Sequence, residues 1–205
     1  MCIRDRRKIK HHRSKGRVAK LILELDKLPS FNNCDDIDLD SRMVTAPSID
    51  YIEETFNPSK FDKLSLEPTL EICVKKDSDQ NPKLDIQVQY APYKTHQGWE
   101  NIKESYVESI IRIISKYAPN INECIEHKKL LTPDDIESEY NVSGGHWHHG
   151  EIQIDQLFMM RPIPGASQYK THLDGLFMCG AGTHPGGGLT GISGKNAAKA
   201  VLDDF

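Results

Sequence analysis

Residues 175–202 read GLFMCGAGTHPGGGLTGISGKNAAKAVL. Leu176, Phe177, Met178 and Cys179 form an unbroken apolar run between Gly175 and Gly180. Such a run predicts a short strand buried on both faces, as in a parallel sheet. Glycines then crowd the segment from Gly180 to Gly188, which predicts a loop. A helix is expected to start between Leu189 and Ile192 and to run to about Leu202. Ser193, Gly194, Ala197 and Ala198 give that helix a small-residue face suited to close packing.

Strand, glycine loop and helix together make a site for anions and electron-rich groups. Glycines let the backbone approach a ligand, and a helix start presents free N–H groups at the positive end of its dipole. Two uses compete: a nucleotide phosphate, and the pyrimidine end of a flavin, where negative charge develops on reduction. A phosphate-binding Walker loop needs Gly, four residues, Gly-Lys and then Ser or Thr. Here Gly194-Lys195 is followed by Asn196, and Leu189 stands at the first position. The dinucleotide pattern GxGxxG fits Gly180 and Gly182 only loosely, because Pro185 would disturb the first helical turn. A doubly covered strand also needs parallel neighbours with crossover helices, and none is evident. The chain is therefore expected to be the C-terminal part of a longer protein.

Upstream, Gly145-His146-Trp147-His148-His149-Gly150-Glu151 is the other dense segment. Three histidines near a glutamate raise a metal site, but no HExxH or comparable spacing occurs, and a loop packed over a pocket is the reading taken. Acid–base chemistry remains open for these histidines. Asp155, Gln156 and Arg161 are polar residues in or beside the apolar stretch Ile152 to Met160. They read either as a satisfied buried ion pair or as groups beside a cofactor or substrate.

The first two thirds carry different patterns. Leu21, Leu23 and Leu25 alternate with polar positions and predict a half-buried strand. Leu70, Ile72 and Val74, then Leu84, Ile86, Val88 and Tyr90, predict an antiparallel hairpin around the turn residues Asp77 to Pro82. Between these strands, residues 30–66 are polar and acidic, with one short helix expected near Ile49–Phe56. Trp99, Ile102, Tyr106, Ile110, Ile113 and Tyr117 recur at helical spacing up to Pro119. Thr132-Pro133-Asp134-Asp135 predicts a capped helix start.

Composition limits the classes open to the chain. Its 205 residues are 38% hydrophobic and 27% charged, which suits one or two small globular domains. No apolar run approaches the roughly 20 residues that span a bilayer, so no integral membrane segment is expected. The five cysteines are odd in number and widely spaced, which argues against a disulfide framework; Cys73 and Cys179 read as core residues. Residues 1–17 hold eight Lys or Arg and one Asp. A basic end raises nucleic-acid or membrane contact, but it is read here as a solvated, partly non-native end, and no nucleic-acid partner is expected.

The segments HGEIQIDQLFMMRPIPG, residues 149–165, and GLFMCGAGTHPGGGLTGISGKNAAKAVL resemble one family. They look like the C-terminal end of the phytoene-desaturase-like flavoproteins of the amine-oxidase superfamily. Within it the resemblance is to the branch called pyridine nucleotide-disulfide oxidoreductase domain-containing protein two. LTPDDIESEY, KYAPNI, QVQYAPY and VAKLILELDKLPSF extend the resemblance over most of residues 17–205. Two departures stand out: no GxGxxG precedes a helix in the first half, and His146, Trp147 and His148 replace the asparagine and apolar residues usual in that loop.

The resemblance implies an α/β architecture, with an α+β substrate domain and the C-terminal strand–loop–helix of a Rossmann-like FAD domain. The division expected is 1–16 basic tail, 17–160 substrate-domain portion and 161–205 FAD-domain segment. FAD is the implied cofactor. Gly180, Ala181, Gly182, Thr183, His184, Pro185, Gly186, Gly187, Gly188, Leu189, Thr190 and Gly191 are the implied cofactor-binding residues. His149, Asp155 and Arg161 are candidates for shaping or charging a catalytic pocket. The implied partners are a small-molecule substrate and the missing N-terminal half of the FAD domain. The implied activity is hydride transfer from a substrate C–H to flavin; the alternative is a non-catalytic binding or regulatory module. The expected compartment is the cytoplasm, with the mitochondrial matrix as alternative.

Overall fold

The computed structural model describes residues 3–34, 38–77, 80–187 and 189–204. The chain divides into two compact units, Gly16–Asn141 and the combination of Met1–Lys15 with Val142–Phe205. The expected divisions had fallen after residues 16 and 160.

The unit Gly16–Asn141 is built on five strands: β1 (Val18–Leu25), β2 (Met43–Val44), β3 (Leu70–Asp77), β4 (Gln80–Gln89) and β5 (Ile125–Leu131). Their order across the sheet is β2-β3-β4-β1-β5, and every pairing is antiparallel. The expected hairpin is β3 and β4, with Ile72 opposite Ile86 and Val74 opposite Leu84; part of its turn, residues 78–79, lies outside the described residues. β1 sits between β4 and β5, where Leu21 faces Ile86 on one side and Leu130 on the other.

Alternation decides which face of this sheet is dry. Leu21, Leu23, Leu25, Leu84, Ile86 and Val88 are fully buried and point one way, because successive strand residues face opposite sides. The other face carries charge: Lys83 meets Glu24 at 2.9 Å and Lys20 meets Asp85 at 3.0 Å. In chain order the helices are α1 (Ile3–Lys10), α2 (Ile49–Phe56), α3 (Trp99–Ser115), α4 (Ile121–Cys124), α5 (Pro133–Tyr140) and α6 (Ile192–Leu202). Tyr106, Ile110, Ile113 and Ile114 of α3 join the leucines of the sheet in one core cluster. α3 ends before Tyr117, which is exposed, and Pro119 follows without an N–H to continue the ladder. Thr132 and Asp135 cap α5 reciprocally: Asp135 N donates to Thr132 Oγ1 at 3.1 Å, and Thr132 N donates to Asp135 Oδ2 at 2.8 Å.

Two expectations are corrected here. Leu176 to Cys179 is not a strand buried on both faces. Leu176 is 50% exposed, Cys179 is exposed, and the run makes a single antiparallel bridge, between Phe177 and Lys170. Among the described residues no named strand lies beside it, and only Phe177 and Met178 of the run are half-buried. Cys73 is only half-buried; it is paired with Asp85 on the charged face of the sheet.

The unit of residues 1–15 and 142–205 contains α1, α6 and short turns. Arg13, from the stretch read as a solvated end, is held by several partners. Its N–H donates to Gln156 Oε1 at 2.7 Å, its carbonyl accepts from Gln156 Nε2 at 2.9 Å, and its guanidinium reaches Glu151 at 3.1 Å and Asp155 at 2.7 Å.

Candidate functional site

Side chains in this second unit are positioned by hydrogen bonds more than by regular elements. Arg161 shows this best. It is 2% exposed, and among the described residues no carboxylate pairs with it. Its Nε donates to Gln156 O at 2.9 Å, Nη1 to His148 O at 2.9 Å and to Ala181 O at 2.8 Å, and Nη2 to Gly150 O at 3.4 Å. A guanidinium has only donors, in a rigid plane, so one side chain ties three separate segments by their carbonyls. Burial pushes the Arg161 pKa down, but an arginine remains charged.

Of the two readings of Asp155 and Arg161, the buried ion pair is not formed between them. Asp155 is exposed and pairs with Arg13, whose guanidinium holds its carboxyl below the usual range. Arg161 is satisfied by carbonyls alone. His149 is exposed, in the left-handed region at φ 56°, and its N–H donates to His146 O at 2.7 Å. A side chain built at Gly182 would lie 3.8 Å from His149 Cβ, so His149 borders the glycine loop. The structure thus brings His149 and Arg161 to Ala181 and Gly182, and ties Asp155 to Arg13 instead.

The histidine loop carries a common electrostatic bias. Burial, then the neighbouring His148, lowers the pKa of His146; burial, then the Arg161 charge, lowers those of His148 and His12. All three are thereby held toward the neutral form at neutral pH. Among the described residues no three His, Cys, Asp or Glu side chains converge as a metal site.

The loop itself is fastened at both ends. Thr183 is buried, and both its N–H (3.0 Å) and its Oγ1 (2.8 Å) donate to Gly180 O. Tyr169, also buried, donates its hydroxyl to His184 O at 2.5 Å and accepts from Asn196 Nδ2 of α6 at 3.0 Å. Ser193 Oγ of α6 donates to Gly186 O at 3.4 Å. A cis bond joins His184 to Pro185. Ala181, Gly182, Pro185 and Gly186 are half-buried, while Gly180, Gly187, Leu189, Thr190 and Gly191 are exposed; Gly188 lies outside the described residues.

Gly191 is the N-cap of α6 at φ 69° and has no capping side chain of its own, while Thr190 Oγ1 accepts from Ile192 N at 3.4 Å. The positive φ suits glycine, and the helix opens with its dipole end toward solvent. The helix start expected between Leu189 and Ile192 falls at Ile192, with Leu189 to Gly191 leading into it. One further polar atom nearby, His184 Nδ1, is buried without a hydrogen-bond partner among the described residues. Arg13 and Tyr169 were not foreseen. Arg13 sits in a charge run that reads as solvated, and nothing in the sequence marks a partner more than 140 residues away.

No family model matches the chain. Over 207 residues that include 92% of this chain, it is 31% identical to pyridine nucleotide-disulfide oxidoreductase domain-containing protein 2 of Mus musculus. The chain is a homologue of that protein. It matches the C-terminal part of this relative and spans 35% of its length. Phytoene desaturase (neurosporene-forming) of Cereibacter sphaeroides is 31% identical over 51% of this chain and 19% of its own. Hydroxyneurosporene desaturase of Rhodobacter capsulatus is 27% identical over 74% of this chain and 31% of its own. The resemblance read from the glycine-rich segment therefore holds across the chain, and the homologues are oxidoreductases by name. Among the described residues no helix is long and apolar enough to cross a membrane.

Proposed function

We propose that this chain is the C-terminal portion of an FAD-dependent oxidoreductase that takes a hydride from a substrate C–H bond. The observation that carries the reading is the exposed start of α6, whose N-cap is a glycine, behind a glycine loop that Arg161 and Tyr169 hold in place. Flavin, when bound, supplies a two-electron acceptor whose added negative charge lies toward its pyrimidine end. The residues present fit such a group. Exposed Gly187 and Gly191 allow close backbone approach, the α6 N-terminus offers positive potential, and His184 Nδ1 is a buried polar atom lacking a partner among the described residues.

The chain's own residues then divide the work. Gly180 to Gly187 and Leu189 to Gly191 line the cofactor edge with backbone rather than side chains. Arg161 positions the loop through Ala181 O and adds a buried positive charge beside it. His149, next to Gly182, borders the space a substrate would enter. Asp155 acts on Arg13 and sets the fold of the loop below. The pyrophosphate end of FAD requires residues beyond these, which we assign to an N-terminal half of the same FAD domain, in keeping with the 35% of its relative that the chain spans.

Gly187→Val tests the reading in this chain joined to its upstream coding sequence. A Cβ at Gly187 meets nothing closer than Ala181 Cβ at 3.8 Å, so the variant is expected to fold. Its valine fills the approach to the loop, and flavin content after purification should drop about tenfold or more. A variant with unaltered flavin absorbance would overturn the assignment of this loop.

A further inference from the structure

A second recess lies wholly within the unit Gly16–Asn141, on a different part of the chain from the glycine loop. Its volume is about 510 Å³, and it is walled by the outer side of α3 and by the segments around residues 62–66 and 95–97. That volume falls in the range of small-molecule sites. Its lining combines three features that rarely coincide by packing alone.

The first is a pair of hydroxyls without partners. Thr95 Oγ1 is buried and makes no hydrogen bond among the described residues. Tyr106 is 4% exposed, and the hydrogen bonds found at this residue use its carbonyl, not its phenol. A buried hydroxyl is nearly always satisfied, so Thr95 Oγ1 points to something that satisfies it, and the Tyr106 phenol in the same recess has no partner to release among the described residues. The second feature is uncompensated positive charge. Lys63 and Arg112 line the recess and enter no ion pair among the described residues, against one acid, Asp62. The third is an apolar wall made by Leu64 and Ile102, both packed on the core of this unit.

We propose that this recess binds a small amphipathic carboxylate. The carboxylate pairs with Arg112 and Lys63 and accepts from the Thr95 and Tyr106 hydroxyls, while its aliphatic body lies on Leu64 and Ile102. A free phosphate would match the cations but leave the apolar wall wet, and an alcohol would match the wall but not the cations. The site is independent of the flavin reading, since it uses none of the loop residues.

Octanoate is the probe, titrated into the 205-residue chain by calorimetry, with octanol and inorganic phosphate as controls. Octanoate is expected to bind saturably and each control at least about tenfold more weakly. Arg112→Gln changes an exposed side chain and should weaken octanoate about tenfold. Thr95→Val removes a buried hydroxyl that has no partner, so the free protein should melt no lower than the parent, and its octanoate affinity should still fall severalfold. Equal binding of octanol and octanoate would overturn the proposal in favour of a purely apolar groove. Phosphate binding as well as octanoate would overturn it in favour of an anion patch. Absence of saturable octanoate binding, or unchanged affinity in both variants, would leave the hydroxyls to water and sink it outright.

Discussion

A buried guanidinium with no acid beside it is costly unless every donor finds an acceptor. Arg161 meets that condition with carbonyls of His148, Gly150, Gln156 and Ala181. The same bonds run the other way as a constraint, because each carbonyl is fixed by the charge. Arg161→Met fills similar volume with no donor and leaves those carbonyls unpaired. The unit holding it should lose about 3 kcal/mol, in line with losing hydrogen bonds to a charged group. Arg161→Lys keeps the charge but not the plane, so it should recover only part of the loss. Urea unfolding followed by Trp147, beside His148, measures both variants; an Arg161→Met midpoint equal to the parent would show that the clamp stabilises nothing.

At the scale of the element, the cap of α5 couples stability to acid. Burial pushes the Asp135 carboxyl up, but Lys103 Nζ at 2.7 Å and the Thr132 N–H and hydroxyl outweigh it and hold its pKa below the ordinary 3.8. A carboxylate whose pKa is lower folded than unfolded stabilises the fold above its unfolded value, and the contribution is lost as pH falls through the folded value. Asp135→Asn should therefore cost about 1 kcal/mol at neutral pH, the ordinary worth of a cap. The difference from the parent should shrink as pH drops below 3.8, and denaturant titrations at several pH values would show it. A difference constant across that range would mean the charge plays no part. Elements of this kind were legible because the signal is local: Thr-Pro-Asp-Asp marks a helix start, and alternating leucines mark β1. β5 was not legible. Its sequence IEHKKLL places four exposed polar residues in a row, because β5 pairs with β1 alone at the edge of the sheet. The apolar run Leu176 to Cys179 misled in the opposite sense, since it reports a need for burial that its described neighbours do not meet. At the candidate site the sequence drew attention to Arg161 as a polar residue beside an apolar stretch, but not to its partners, because the carbonyls that satisfy it depend on loop geometry.

Across the whole molecule, apolar burial is divided unevenly. The core cluster runs from Ala19 to Leu130, entirely inside the unit Gly16–Asn141. Among the described residues of the other unit, Tyr169 and Ala197 are the buried hydrophobics, and its remaining buried groups are polar, such as Arg161, Thr183 and Ser193. Hydrophobic burial is the dominant favourable contribution to folding, so the two units should differ in stability and should not melt as one. The chain's two tryptophans fall one in each unit, Trp99 in the core cluster and Trp147 in the histidine loop. Trp99→Phe leaves Trp147 as the reporter of one unit, and Trp147→Phe leaves Trp99 as the reporter of the other. In urea, the Trp147 signal should change at lower denaturant than the Trp99 signal, and backbone circular dichroism should follow mainly the second transition, where the sheet and α3 reside. Coincident midpoints for both reporters would instead demonstrate a single cooperative transition and overturn the prediction.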